Sequence, residues 1–195
     1  MGITTTDKDC TARIRSIRDR IDLNRIRRRL SRYAMVKIEA RLRELDITLP
    51  SPTKVPPDFR RVFPFVRIRG KRAYISGHGP TNPDGTLAGP YGKVGAEVTQ
   101  EQAYNSARLT ALSIISSLKD ELGDLDRVTA WLRVHGMVNS APGFTNQPAV
   151  INGFSDLIIK VWGEEAGRHA RAAVGMAELP FGLPVEIEAE VELDG

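Results

Sequence analysis

The chain has a single cysteine, Cys10, which rules out an internal disulfide framework and any Cys-rich zinc site. Its three histidines, His78, His135 and His169, are scattered and have no cysteine nearby, so no metal site is expected. The apolar runs fall far short of a membrane span. A Walker loop, a dinucleotide fingerprint and a nucleophile elbow are all missing. Ser76 has no evident His or Asp partner in the sequence, which argues against a serine hydrolase. With no secretory signal pattern, the reducing cytosol is the expected compartment.

What is present suits a globular domain with an appendage. The 195 residues are 41% apolar and 27% charged, enough to bury a real core. The net charge of +4 conceals an asymmetry. Residues 1–46 carry 13 Lys/Arg against 7 Asp/Glu, a balance of +6, and residues 47–195 carry 15 against 17, a balance of −2. The basic character therefore belongs to the N-terminal segment, and the body gains no support as a nucleic-acid binder from its charge.

Three regions follow. Residues 1–46 read as a basic helical extension. Within it, stripes such as Ile14/Ile17/Ile21 and Ile38/Leu42/Leu45 alternate with arginine-rich faces, and Asp22 and Asn24 interrupt or restart the helix. The stripe is expected to dock and the arginines to face solvent; an RNA- or membrane-contacting arm and a presequence are the other readings. Residues 47–57 form a proline-rich linker with Pro50, Pro52, Pro56 and Pro57. Residues 58–195 form the main domain.

In that domain, Phe65–Arg69 and Arg72–Gly77 are predicted strands joined at Gly70-Lys71. Residues 76–92, with five glycines and three prolines, form an irregular loop. Thr99 with Gln102 makes a capping box for a helix that Gly123 stops. Val128–Val138 alternates as a strand, with Val128, Ala130, Leu132 and Val134 facing one way and Trp131, Arg133, His135 and Met137 the other. A second helix runs from about Gln147 to Trp162 and Gly163 closes it. Two terminal strands, expected to meet around Pro180-Phe181-Gly182, complete an α+β fold. Its mixed sheet has both helices on one face and an apolar or small-residue opposite face suited to burial in an oligomer.

The terminal strands carry the chemistry. Arg171 lies among Ala172, Ala173, Val174 and Gly175, where nothing bulky shields its donors. Glu186, Glu188, Glu190 and Glu192 alternate with apolar residues along the last strand. From the residues alone, Arg171 is equally a ligand anchor or a salt-bridge partner of Glu190 or Glu192, and Glu186 is one rung of a solvated acidic face. Asn152 is equally a helix cap or a ligand contact, and His169 beside Arg171 reads as a packing residue.

Four stretches resemble the RidA/YjgF family, also called L-PSP endoribonuclease-like, whose fold is chorismate-mutase-like. They are GKRAYISGHGP (70–80), GDLDRV (123–128), NQPAVINGFSDL (146–157) and HARAAVGMAELPFGLPVEIEA (169–189). The resemblance spans about residues 58–193. It is greatest for a subgroup with a His-Ala-Arg signature and a helix before the linker, here Ala40-Arg41-Leu42. It implies a homotrimer with ligand sites in clefts between subunits, and hydrolysis of reactive 2-imino or 2-enamino acids to 2-keto acids and ammonia. A PLP-dependent dehydratase would act upstream.

By position, the resemblance makes Glu186 the catalytic residue that positions or activates water and Arg171 the grip on the substrate carboxylate. Ser76 and Gly77 would lie beside the ligand, Asn152 would shape the cleft and Phe63 would form a pocket wall. No metal or organic cofactor is required, because a protonated imine is already electrophilic. Phe63 stands where the archetypes carry a tyrosine, His169 where they carry proline and His78 where they carry glutamine. The alternatives are a non-catalytic module that binds a 2-keto acid or similar anion, and an endoribonuclease or translation inhibitor that would meet nucleic acid only through residues 1–34.

Overall fold

The computed structural model describes residues 38–55 and 58–195. Its elements are α1 (Ile38–Glu44), β1 (Val66–Arg69), β2 (Arg72–His78), α2 (Gln100–Leu122), β3 (Val128–Asn139), α3 (Gln147–Gly167), β4 (Ala170–Met176) and β5 (Val185–Leu193). The strands form one five-stranded sheet in the order β1-β2-β5-β3-β4. The β3–β4 pair is parallel and the others are antiparallel.

The helices form where the local chemistry directs them. Thr99 accepts from the Gln102 amide and Gln102 Oε1 from the Thr99 amide, while the Gly123 amide caps the far end on the Lys119 carbonyl. On α2, Ala103, Ala107, Ala111, Ile114 and Leu118 are fully buried; on α3, Val150, Ile151, Phe154 and Ile158 are too. Both stripes pack on Val134, Ile187 and Val191 of the sheet in one core. The helices approach closely because residue 153 is glycine: a Cβ there would overlap the Tyr104 carbonyl oxygen. Gly163 ends the regular part of α3, and one further turn runs on to Gly167.

Short helix α1 packs into the same core through Ile38 and Leu42. Asp126 accepts from the Ile38 amide at 2.6 Å and Glu39 pairs with Lys119. The other helical stripes expected over residues 11–37, and the arginine faces beside them, lie outside the described residues. Pro50 and Ser51 bond to Ser116 and to the Pro83 carbonyl, so this part of the linker lies against the body. Among the described residues no helix is long and apolar enough to cross a membrane.

Three expectations are corrected. The last two strands do not meet as a hairpin, because β3 lies between β4 and β5. Helix α3 is the crossover that lets β4 run parallel to β3, and the turn at Pro180–Gly182 carries the chain to the far side of β3. Secondly, a shift of register between Trp131 and Arg133 breaks the alternation of β3. It turns Trp131 into the core against Phe154 and Trp162, away from Arg133 and His135. Thirdly, the face of the sheet away from the helices is mainly charged and polar. Arg67, Tyr74, Arg133, His135 and the β5 glutamates populate it, with small residues mainly on β4.

Candidate functional site

Each side of the candidate site grows from one element pair. On the first, β4 holds Arg171 directly opposite Val134 of β3, whose neighbour across the sheet is Ala189. Both neighbours are buried toward the helices, so Arg171 points to the helix side. There the first three turns of α3 receive it. Nη1 donates to Asn152 Oδ1 at 2.9 Å and to Ser155 Oγ at 3.0 Å, and Nη2 donates to the Pro148 carbonyl at 3.3 Å. Among the described residues no carboxylate lies within ion-pairing distance. Neutral acceptors orient the cation and leave its charge uncompensated. Among the described residues nothing accepts from the Nε–H or the second Nη2–H, donors that one carboxylate can accept together.

His169 completes this cluster. Its Nδ1 lies 2.8 Å from the Gly167 carbonyl and its Nε2 3.0 Å from Ser155 Oγ. Burial lowers its pKa, the Gly167 carbonyl opposes that shift and Arg171 adds to it. The ring is therefore neutral at physiological pH.

The second side is built on β2 and β5. Glu186 is half-buried on the open face, and no side chain or amide of the described residues donates a hydrogen bond to it. Burial raises its pKa above the usual carboxylate range and the neighbouring Glu188 raises it further. Its carboxylate lies directly over Gly77, where any Cβ would overlap Oε1. Ser76 donates its hydroxyl to the Pro64 carbonyl and its amide to the Phe65 carbonyl, tying β2 to the segment that carries Phe63. Phe63 is exposed, edge-on to Phe65 at 6.4 Å. His78 is fully buried, its pKa lowered to about 4 chiefly by desolvation.

The structure thus brings Ser76, Gly77 and Glu186 together, with Phe63 nearby, and separately unites Arg171 with Asn152. It does not join the two sets within one chain. Glu186 pairs with Met137 and Met137 with Val174, so Arg171 is two strands away and three residues along. At ordinary strand spacings this is about 14 Å between backbones, with the side chains on opposite faces. The salt bridge to Glu190 or Glu192 is not formed. Ser155 escaped the sequence reading, although its spacing of three from Asn152 placed it on the same helical face.

A cavity of about 490 Å³ opens on the charged sheet face beside Ser76, lined by Arg67, Tyr74, Arg133, His135 and Glu188. His135 and Glu188 pair there at 3.1 Å. Of the residues expected to form the site, only Ser76 lines this cavity. Glu39, Asp124 and Asp126 bring carboxylate oxygens within 4.8 Å of one another. Lys119 and the amides of Leu125, Ile38 and Asp126 bond one oxygen of each carboxylate, which joins α1 to the end of α2 and the turn after it.

Comparison with known proteins agrees with this architecture. Residues 61–183 match the family model described as "YjgF/chorismate_mutase-like, putative endoribonuclease". Protein TCP17 of Trypanosoma cruzi is 41% identical over 165 residues, 85% of this chain and 99% of that protein. A crystal structure of an Agrobacterium tumefaciens protein of unknown function is 43% identical with a TM-score of 0.70, covering 81% of this chain and 92% of that one. A Shewanella oneidensis MR-1 protein, also described as an endoribonuclease with the same qualifier, is 28% identical with a TM-score of 0.72, covering 80% and 99%.

Proposed function

The chain belongs to the YjgF/chorismate mutase-like family, and on that premise we propose that it hydrolyses reactive 2-imino or 2-enamino acids to 2-keto acids and ammonia. The observation that carries this reading is a pair of charges uncompensated among the described residues: a cation oriented by neutral acceptors and a desolvated carboxylate without a donor. Because the two sit on opposite faces of one sheet, a site that uses both takes them from neighbouring copies. A homotrimer with clefts between subunits supplies that arrangement.

In such a cleft the free edge of Arg171 grips the substrate carboxylate and fixes the plane of the imine. Glu186, ionised, accepts a proton from water as the water oxygen bonds to the imine carbon. Its raised pKa makes it a stronger base than an ordinary glutamate. The same proton then passes to the amino nitrogen, and as the C–N bond breaks the new hydroxyl gives up its own proton, by way of Glu186, to the departing ammonia. A 2-iminium acid plus water becomes a 2-keto acid plus ammonium, with every atom accounted for. Ser76 and Gly77 border the reacting centre, Gly77 because only a residue without a side chain leaves room for the Glu186 carboxylate.

The test couples the protein to a PLP-dependent threonine dehydratase and follows ammonia release. Acceleration that Arg171→Ala abolishes, in a variant that remains trimeric by light scattering, supports the proposal. No acceleration with any 2-imino acid rejects it. Calorimetry that shows 2-ketobutyrate bound without turnover selects a binding module instead.

A further inference from the structure

We infer that Ser155 and His169 are positioning residues for the Arg171 guanidinium, acting through a hydrogen-bond chain that can run in one direction only. The inference rests on the reading of Arg171 as the carboxylate grip. The direction follows from the end of the chain. The Gly167 carbonyl can only accept, so the His169 proton sits on Nδ1, 2.8 Å away. In the neutral ring Nε2 is then an acceptor, and the hydroxyl 3.0 Å from it must donate: Ser155 Oγ–H points at His169. That commits the only hydrogen of the hydroxyl and turns its lone pairs toward Arg171 Nη1, 3.0 Å away on the other side.

The chain is anchored at its inner end and open at its outer one. His169 is held edge-on by Phe154, with ring centroids 6.1 Å apart, and Ser155 is buried on α3. Asn152, the other acceptor for Nη1, is exposed. Of the two side chains that receive Nη1, only Ser155 is backed by a further side chain among the described residues. With both Nη1 hydrogens held, the guanidinium cannot swing about its stem, and the free Nε–H and Nη2–H edge keeps one direction before a ligand arrives. Preorganisation of this kind strengthens binding by removing the ordering cost, without adding a contact to the ligand.

The experiment compares the full-length wild type with Ser155→Ala, His169→Phe, His169→Gln, the double variant S155A/H169F and Arg171→Ala. Binding of 2-ketobutyrate is read by calorimetry and KM and kcat by the dehydratase-coupled assay. Thermal melts confirm folding of each variant. Phenylalanine keeps the ring packed on Phe154 and removes the acceptor, whereas the glutamine amide oxygen can accept where Nε2 did. S155A and H169F are each expected to weaken binding about tenfold and to raise KM to match, with kcat nearly unchanged. The double variant is expected to be no worse than either single one, since all three break one chain. H169Q is expected to recover most of the affinity. If S155A and H169F bind like wild type while R171A does not bind, the positioning role is wrong and the reading of Arg171 stands. If H169Q is as weak as H169F, returning an acceptor at Nε2 does not return the affinity, and the inference is overturned. If R171A or the wild type shows that Arg171 does not hold the keto acid, the functional reading fails and this inference with it.

Discussion

The two sides of the candidate site rest on the same small device and put it to different use. On the β2 side, His78 Nδ1 bonds the carbonyl two residues earlier, Ser76, and Nε2 bonds the hydroxyl of Ser117 on α2. On the β4 side, His169 Nδ1 bonds the carbonyl two residues earlier, Gly167, and Nε2 bonds the hydroxyl of Ser155 on α3. Both rings are kept neutral, chiefly by burial. The difference lies beyond the serine. Ser117 ends in the core, and its histidine serves to pin the strand that carries Ser76 and Gly77 beneath Glu186. Ser155 passes its lone pairs on to a cation at the rim. One device thus fixes backbone in the first case and a charge in the second. The lesson is that the partner of the serine, not the histidine, separates the two roles.

The sharpest way to break the comparison is to remove the charge that only one side holds. Arg171→Ala should lower kcat/KM in the coupled ammonia assay about 10³-fold, roughly 4 kcal/mol, with little change in melting temperature. The His78 side should answer in stability instead. A buried histidine with its pKa lowered to about 4 leaves the unfolded chain to bind the proton first as pH falls. Its contribution is complete above about 6.5 and is lost on the way down to about 4, a decline of roughly 3 kcal/mol. Denaturant melts of His78→Gln at pH 7 and pH 4.5 should lack that part of the wild-type decline.

Two smaller effects sharpen the contrast on the carboxylate. Gly77→Ala places a methyl where Glu186 Oε1 now lies, so the carboxylate must move while the strand persists. About 30-fold is expected off kcat/KM, with the circular dichroism spectrum unchanged. Glu186→Gln removes a charge that folding makes harder to hold. Because the folded pKa is raised, the ionised group opposes folding at neutral pH, and the penalty disappears once both states are protonated at low pH. The variant should melt roughly 1–3 °C higher at pH 7, with no gain at acid pH, and should be inactive in the coupled assay.

Much of this was legible from local chemistry. The Thr99–Gln102 box and the Gly123 stop bounded α2, and the apolar stripes identified the faces of α2 and α3 that are buried. Such signals act over three or four residues, and nothing distant overrode them. Two features of β3 and β4 were not legible. The bulge that sends Trp131 into the core depends on what Phe154 and Trp162 present to it, and strict alternation cannot foresee that. The partner of β4 depends on the path of α3 and not on the short turn at Pro180–Gly182, so the sequence pointed to a hairpin and the fold made a parallel pair.

The site divides along the same line. Composition and spacing alone establish that a bare arginine lies in a small-residue strand, that glutamates alternate on the next one, and that glycine precedes His78. Only the tertiary structure decides that Arg171 turns to the helices and Glu186 to the open face, and that Ser155 and His169 stand behind the arginine. The physical reason is that a strand fixes only which residues share a face. The side of the sheet that each face meets is set by long-range pairing and by helices far away in the chain.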